Sequence, residues 1–141
     1  MIVLDTNVIS ELMRPQPDPA VFEWVAKQPR ETLYTTYVNE AEIFYGISAM
    51  PQGRRRDGFV SAADILFNGV FSGRVLPFGG AAARRYGEIV VSRRAMGRPI
   101  EAFDALIAAI AFSAEAAVAT RDTGGFSDCG LTLINPWSAG G

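Results

Sequence analysis

Asp5, Glu42, Asp104 and Asp122 are the residues on which chemistry could rest. Asp5 stops the apolar run Ile2-Val3-Leu4, and Asp122 follows closely on the run Ala116-Ala117-Val118-Ala119. Asp104 lies inside Ile100–Ser113, a stretch apolar on nearly every side, and Glu42 lies beside an apolar stripe. An ionised carboxylate in such surroundings is costly unless it is paired, hydrogen-bonded or bound to a cation. Four of them brought together repel one another unless a cation sits between them. Oxygen ligands of this kind suit a hard ion such as Mg²⁺ or Mn²⁺. With such an ion they suit hydrolysis of a phosphodiester, in which the metal polarises a phosphoryl oxygen and activates a water. Each acid also has a plainer reading. Asp5 or Thr6 could simply cap the next helix, Glu42 could be a boundary glutamate reaching water, and Asp104 could bond to a helix end.

The rest of the composition narrows the chemistry. The 141 residues contain no His, and Cys129 is the single cysteine. A His-based triad, a His metal ligand, an internal disulfide and a thiolate zinc cage are therefore excluded. Lys27 is the only lysine, with no glycine-rich stretch before it, so there is no phosphate-binding P-loop. Net charge is −2, which argues against a general nucleic-acid coat. It leaves room for a local basic track, and Arg54–Arg56, Arg84-Arg85 and Arg93-Arg94 could follow phosphates or simply line solvated helix faces. No apolar run reaches membrane-spanning length, and the amino terminus lacks the basic region of a signal peptide. A cytoplasmic protein with no membrane partner is the expectation, and the length suits a single domain over 1–141.

The elements that must position these acids follow from periodicity and punctuation. A first strand runs up to Asp5, and a short helix covers Val8 to Met13. Asp18-Pro19 restarts the chain as a helix, with Asp18 as N-cap and Pro19 at the first helical position. Glu31 to Thr35 is a short β-like run. Thr36 caps a helix from Tyr37 to about Ala49, whose stripe is Val38, Ala41, Tyr45 and Ala49. A longer helix spans Arg54 to about Asn68, Arg74–Pro77 is a short strand, and Ala81 to about Arg94 is helical with Ala82, Tyr86, Ile89 and Val90 apolar. The helix Ile100–Ser113 is expected to be buried. Strands at Ala116–Thr120 and Leu131–Ile134 complete the chain. Strands alternating with helices imply a three-layer α/β/α domain with a central, mostly parallel sheet of four to five strands. Asp5 and Asp122 then lie at carboxyl ends of strands, where open α/β sheets bind ligands. Glu42 and Asp104 lie on helices that could converge there.

Five stretches, in order from one end of the chain to the other, resemble the PIN-domain ribonucleases, specifically the VapC/FitB-like toxins of bacterial toxin–antitoxin pairs. They are Met1-Ile-Val-Leu-Asp-Thr-Asn-Val-Ile-Ser10, Asn39-Glu-Ala-Glu-Ile-Phe-Tyr-Gly46, Phe103-Asp-Ala-Leu-Ile-Ala-Ala109, Thr120-Arg-Asp122 and Leu131-Thr-Leu-Ile-Asn-Pro-Trp137. The resemblance implies a PIN-like fold and a role for each matched acid. Asp5 and Asp104 would be the main ligands of Mg²⁺ or Mn²⁺, Glu42 the third acid, holding a ligand water or a second ion, and Asp122 a fourth, weaker acid. Thr6, Asn7 and Thr120 would orient these carboxylates or touch phosphate. It further implies an endoribonuclease that cuts tRNA or mRNA, a cognate antitoxin that holds it inactive, and a homodimer. One departure bears on Asp122. Relatives often carry Asn there and an acid at the position of Gly125, and Asp128 is a candidate substitute. Glu40 and Glu101 stand near motif positions and are read as peripheral.

Two other readings compete. The changed Asp122–Phe126 segment would suit a PIN-like module that binds RNA or a partner without cutting. A receiver-type phosphoacceptor would need clustered acids on its first strand and a late lysine, and Lys27 is too early.

Overall fold

In the computed structural model, which describes residues 1–138, the chain builds a five-stranded sheet with helices on both faces. The strands are β1 (Ile2–Leu4), β2 (Leu33–Thr36), β3 (Val75–Leu76), β4 (Ala117–Ala119) and β5 (Leu133–Ile134). Their spatial order is β3-β2-β1-β4-β5, and every pairing is parallel. The chain moves from β1 outward through β2 and β3, then crosses back to place β4 on the other side of β1. The order therefore reverses between β1 and β4, and an open parallel sheet forms its binding crevice outside the strand ends at such a point.

Strand alternation splits the core in two. Val3 and Val118 face one side and Leu4 and Ala119 the other, with Val3 opposite Val118 and Leu4 opposite Ala119. Helices α1 (Thr6–Leu12), α2 (Pro19–Lys27), α3 (Tyr37–Ser48) and α4 (Arg54–Ile65) cover the Leu4 side with Val8, Val21, Trp24, Ile43 and Ala63. Helices α5 (Gly80–Ala95) and α6 (Ala102–Ser113) cover the Val3 side with Ala82, Ile89 and Ile107 to Ala111. A π-helical turn, Leu66–Val70, extends α4 and brings Phe67 and Phe71 onto Leu4 and its neighbours.

Local signals set most boundaries. Asp18 caps α2 by accepting from the Ala20 N–H at 2.9 Å, and Pro19 stands at its first position. Gly97, with φ of 71°, supplies the left-handed turn that ends α5. Helix α1 begins at Thr6, so Thr6 and Asn7 are helical, and Asp5 is its N-cap residue without a side-chain capping bond. The Asp5 side chain is thus left for other partners. Helix α6 is less enclosed than its composition suggests. Ile107 to Ala111 are buried, but Phe103 near its start is 50% exposed and Phe112 near its end is 38% exposed.

Candidate active site

The site starts from β1. The Asp5 N–H donates to the Ala119 carbonyl at 2.9 Å, which locks the end of β1 against β4. The Asp5 carboxylate lies at that junction and is only 5% exposed. Its Oδ2 accepts from the Thr120 hydroxyl at 2.8 Å and from Asn7 Nδ2 at 3.4 Å, and its Oδ1 accepts from Asn39 Nδ2 at 3.1 Å. These bonds favour the ionised form, but burial outweighs them and pushes the Asp5 pKa up. Thr120 is fully used: it donates to Asp5 and accepts from Asn7 Nδ2 at 3.2 Å and from the Asp122 N–H at 3.0 Å.

Asn39 organises the other half. The Thr36 hydroxyl caps α3 by accepting from the Asn39 N–H at 3.1 Å, and it donates in turn to Asn39 Oδ1 at 2.7 Å. That bond fixes the amide, so both Nδ2 protons point into the site, one to Asp5 Oδ1 and one to Thr6 Oγ1 at 3.0 Å. With its hydroxyl oxygen so engaged, Thr6 donates to Glu42 Oε1 at 2.7 Å. One connected run, Thr36 to Asn39 to Thr6 to Glu42, thus positions the carboxylate on α3 relative to the one after β1. Burial pushes the Glu42 pKa up, the Thr6 bond opposes it, and Asp5 and Glu101 add to the rise.

Asp104 stands in the first turn of α6 and is half-buried. No hydrogen bond opposes the forces on it. Burial, then the charges of Asp5, Asp122, Glu42 and Glu101, push its pKa up to about 7. Among the described residues Asp104 has no structural bond to a helix end, the plainer reading of this residue. Asp122 is exposed at the rim, and its Oδ1 accepts from the Gly125 N–H at 3.0 Å. Glu101, read as peripheral, lies close enough to raise both Glu42 and Asp104.

The structure therefore brings Asp5, Glu42, Asp104 and Asp122 to one edge, with Thr6, Asn7 and Thr120 between them. The three ion pairs among the described residues, Arg14–Glu11, Arg85–Glu88 and Arg98–Asp128, leave all four acids without a basic partner. No three acidic or cysteine side chains among the described residues stand close enough to cage an ion. The donor set still fits a hard divalent cation: it is oxygen only, it carries uncompensated like charge, and the Asp104 carboxylate is unclaimed by any hydrogen bond. Mg²⁺ takes one or two carboxylates directly and keeps its waters, which an open cluster allows.

Several sequence expectations are corrected here. The buried stripe of α3 is Asn39, Ile43 and Ile47, whereas Tyr45 is 77% exposed. Asn39 was missed as a functional residue for that reason. Its signal was a polar amide at the head of an i, i+4, i+8 stripe. Arg93 is no surface cation: it is buried and donates to the carbonyls of Arg98 at 2.7 Å, Gly125 at 3.0 Å and Ser127 at 2.9 Å. Asp128 does not replace an acid at position 125, because it pairs with Arg98 at 2.8 Å. The space above Gly125 is filled by Asp122 itself, whose Oδ2 stands where a Cβ would collide with it.

A parallel sheet with this strand order and acids at its switch point is an open α/β domain with a ligand site outside the carboxyl ends of β1 and β4. The PIN domain family profile matches residues 2–130, and the chain belongs to that family. Among its relatives, the VapC ribonuclease Y4jK of Sinorhizobium fredii is 44% identical over 97% of this chain and 98% of its own length. Toxin FitB of Neisseria gonorrhoeae is 36% identical over 97% of this chain and 99% of its own length. The structure of FitAB bound to an IR36 DNA fragment superposes with a TM-score of 0.90 at 36% identity, covering 97% of this chain and 96% of the other.

Proposed function

We propose that this protein is a divalent-metal-dependent endoribonuclease, the toxin of a toxin–antitoxin pair, acting on tRNA or mRNA as a homodimer and restrained by a cognate antitoxin. The observation that carries the reading is the set of four carboxylates at the switch point, which among the described residues have no basic partner, with Asp104 making none of the described hydrogen bonds. The names of the relatives, a ribonuclease and a toxin, support it, as does the FitAB assembly of the structural neighbour.

Asp5 and Asp104 would hold the ion, Mg²⁺ or Mn²⁺, with Glu42 and Asp122 reaching it through water. When bound, the ion supplies Lewis acidity toward a phosphoryl oxygen and lowers the pKa of a coordinated water. The protein's own groups do the rest. Asn39 and Thr120 hold Asp5 in one orientation with both oxygens engaged. Thr6 holds Glu42 by Oε1, and Oε2, which makes none of the described hydrogen bonds, can take a water or a proton. Asn7 and Thr120 tie the ends of β1 and β4 together through Asp5, and Asn7 also accepts from the Arg121 N–H at 3.1 Å.

A binding module that does not cut is the second reading. It draws on the missing three-acid cage and on Asp122, one of whose oxygens is committed to the Gly125 N–H. Cleavage of RNA by the purified protein with Mg²⁺ or Mn²⁺, with and without EDTA, separates the two. The ribonuclease reading expects cleavage that EDTA stops and that Asp5→Asn and Asp104→Asn both abolish while the variants stay folded. Full activity in either variant would refute it.

A further inference from the structure

We infer that single-stranded RNA reaches the acid cluster along an arginine- and aromatic-lined trench between α1, the start of α4 and the chain after β5. The inference rests on the ribonuclease reading and adds the path of the strand. Asn7, which bonds to Asp5 and Thr120, forms the inner end of a cleft of about 500 Å³ walled by Arg14, Arg55, Phe59, Arg121 and Trp137. A second cleft of about 520 Å³ shares Arg14, Arg55 and Phe59 and adds Arg54. The shared residues make the two clefts one trench, with the acid cluster at one end.

Charge favours such a trench. The four carboxylates repel a phosphate chain and the protein as a whole carries −2, so cations beside the cluster add to the attraction that a bound ion would supply. Several arginines elsewhere are otherwise engaged, and the exposed Arg30, Arg84 and Arg94 line neither cleft. Arg93 is buried on carbonyls, Arg85 stacks on Phe112 at 3.8 Å and pairs with Glu88, and Arg98 pairs with Asp128. In the trench, Arg54, Arg55 and Arg121 are exposed and make none of the described ion pairs, while Arg14 shares its charge with Glu11 at 3.3 Å. Two of these guanidiniums are already set over rings, Arg121 over Trp137 at 4.9 Å and Arg55 over Phe59 at 5.8 Å. Cations interleaved with planar apolar surface are what a single strand needs, since phosphates track the charges and unstacked bases lie on the planes. An acidic protein segment would use the charges but would leave the interleaved rings Phe59 and Trp137 without the planar partners that bases supply.

The test is binding of a fluorescein-labelled single-stranded RNA of mixed sequence, followed by anisotropy in EDTA across a salt series. It compares wild type, the double variant Arg54→Ala/Arg55→Ala, and Arg84→Ala/Arg94→Ala on the opposite layer. Melting curves verify the fold of each. Losing two phosphate contacts should weaken binding about tenfold at moderate salt and flatten the log–log salt slope by about 1.4. The opposite-layer variant should bind as wild type does. The trench is overturned if Arg54→Ala/Arg55→Ala binds like wild type, or if the opposite-layer variant loses as much. It is also overturned if poly-glutamate of matched charge competes as well as unlabelled RNA, which would mark a dock for an acidic protein. RNA cleavage by wild type with Mn²⁺ is recorded in parallel. Cleavage with an indifferent trench sinks only the path, whereas neither cleavage nor RNA binding by wild type sinks the ribonuclease reading with it.

Discussion

Replacing Asp104 by Asn should stabilise the metal-free protein at alkaline pH and remove its response to divalent ions. Asp104 is pushed up to about 7 from an ordinary value of 3.8, by burial first and then by the surrounding acids. A carboxylate whose folded pKa is raised favours the fold when protonated. Its contribution is fully present below the ordinary value near 4 and is lost as pH rises through about 7. Three units correspond to about 4 kcal/mol before screening. The side chain is half-exposed, so solvent reduces the usable part to about 1–2 kcal/mol. Asn is neutral at every pH and keeps what the wild type loses. For a chain of this length that is a rise of about 3–7 °C in melting temperature at pH 8, falling to about two-fifths of that at pH 5. Scanning calorimetry in EDTA at the two pH values reads this directly. Adding Mn²⁺ at ten times its Kd should raise wild-type stability by about 1.4 kcal/mol and leave the variant unmoved. A variant less stable than wild type at pH 8, or one offset equally at both pH values, would refute the reasoning. Asp104 would then be held by a structural partner and not repelled by its neighbours.

Other consequences follow from single contacts. Asn39→Ala leaves Asp5 Oδ1 and the Thr36 hydroxyl without their partner and should lower stability by about 1–3 kcal/mol. Activity should fall about 10–100-fold, mainly in kcat, and an unchanged kcat would remove Asn39 from the site. Gly125→Ala puts a methyl against Asp122 Oδ2, so Asp122 must swing away while the fold survives. If Asp122 is the fourth acid, this variant and Asp122→Asn should weaken Mn²⁺ binding to a similar extent in calorimetric titration, and wild-type affinity in both would dismiss it. Arg93→Lys keeps the charge but cannot fork across the Arg98, Gly125 and Ser127 carbonyls, and should cost about 1–3 kcal/mol in urea unfolding. An unchanged midpoint would show that the loop needs no anchor.

The acids were legible because their surroundings contradict them. Asp5 and Asp122 end apolar strands, and Asp104 interrupts an apolar helix, so each stands out from sequence alone. Their supporting shell was not legible in the same way. Val38, Ala41, Tyr45 and Ala49 satisfy helical spacing as well as Asn39, Ile43 and Ile47 do, and only tertiary packing decides that the second stripe is buried while Ala41, Tyr45 and Ala49 face water and Val38 packs on the other core. Arg93 was hidden likewise: it continues the buried stripe of Ala82 and Ile89, but an arginine beside another arginine reads as a solvated pair. The alternation of strands and helices gave the class of fold and a mostly parallel sheet. It did not give the order β3-β2-β1-β4-β5, which depends on where the chain crosses back. Strands β3 and β5 have two residues each, too few for a period to be read. The exposure of Phe103 and Phe112 could not be foreseen either, since a helix apolar on all sides looks buried whether or not something covers its ends.

The most direct measurement is sequencing of RNA ends after induced expression in a bacterial host, wild type beside Asp5→Asn. We expect growth arrest with discrete new RNA ends in the wild type and neither in the variant. Arrest in both without new ends, or the same new ends in both, would contradict a metal-site ribonuclease centred on Asp5.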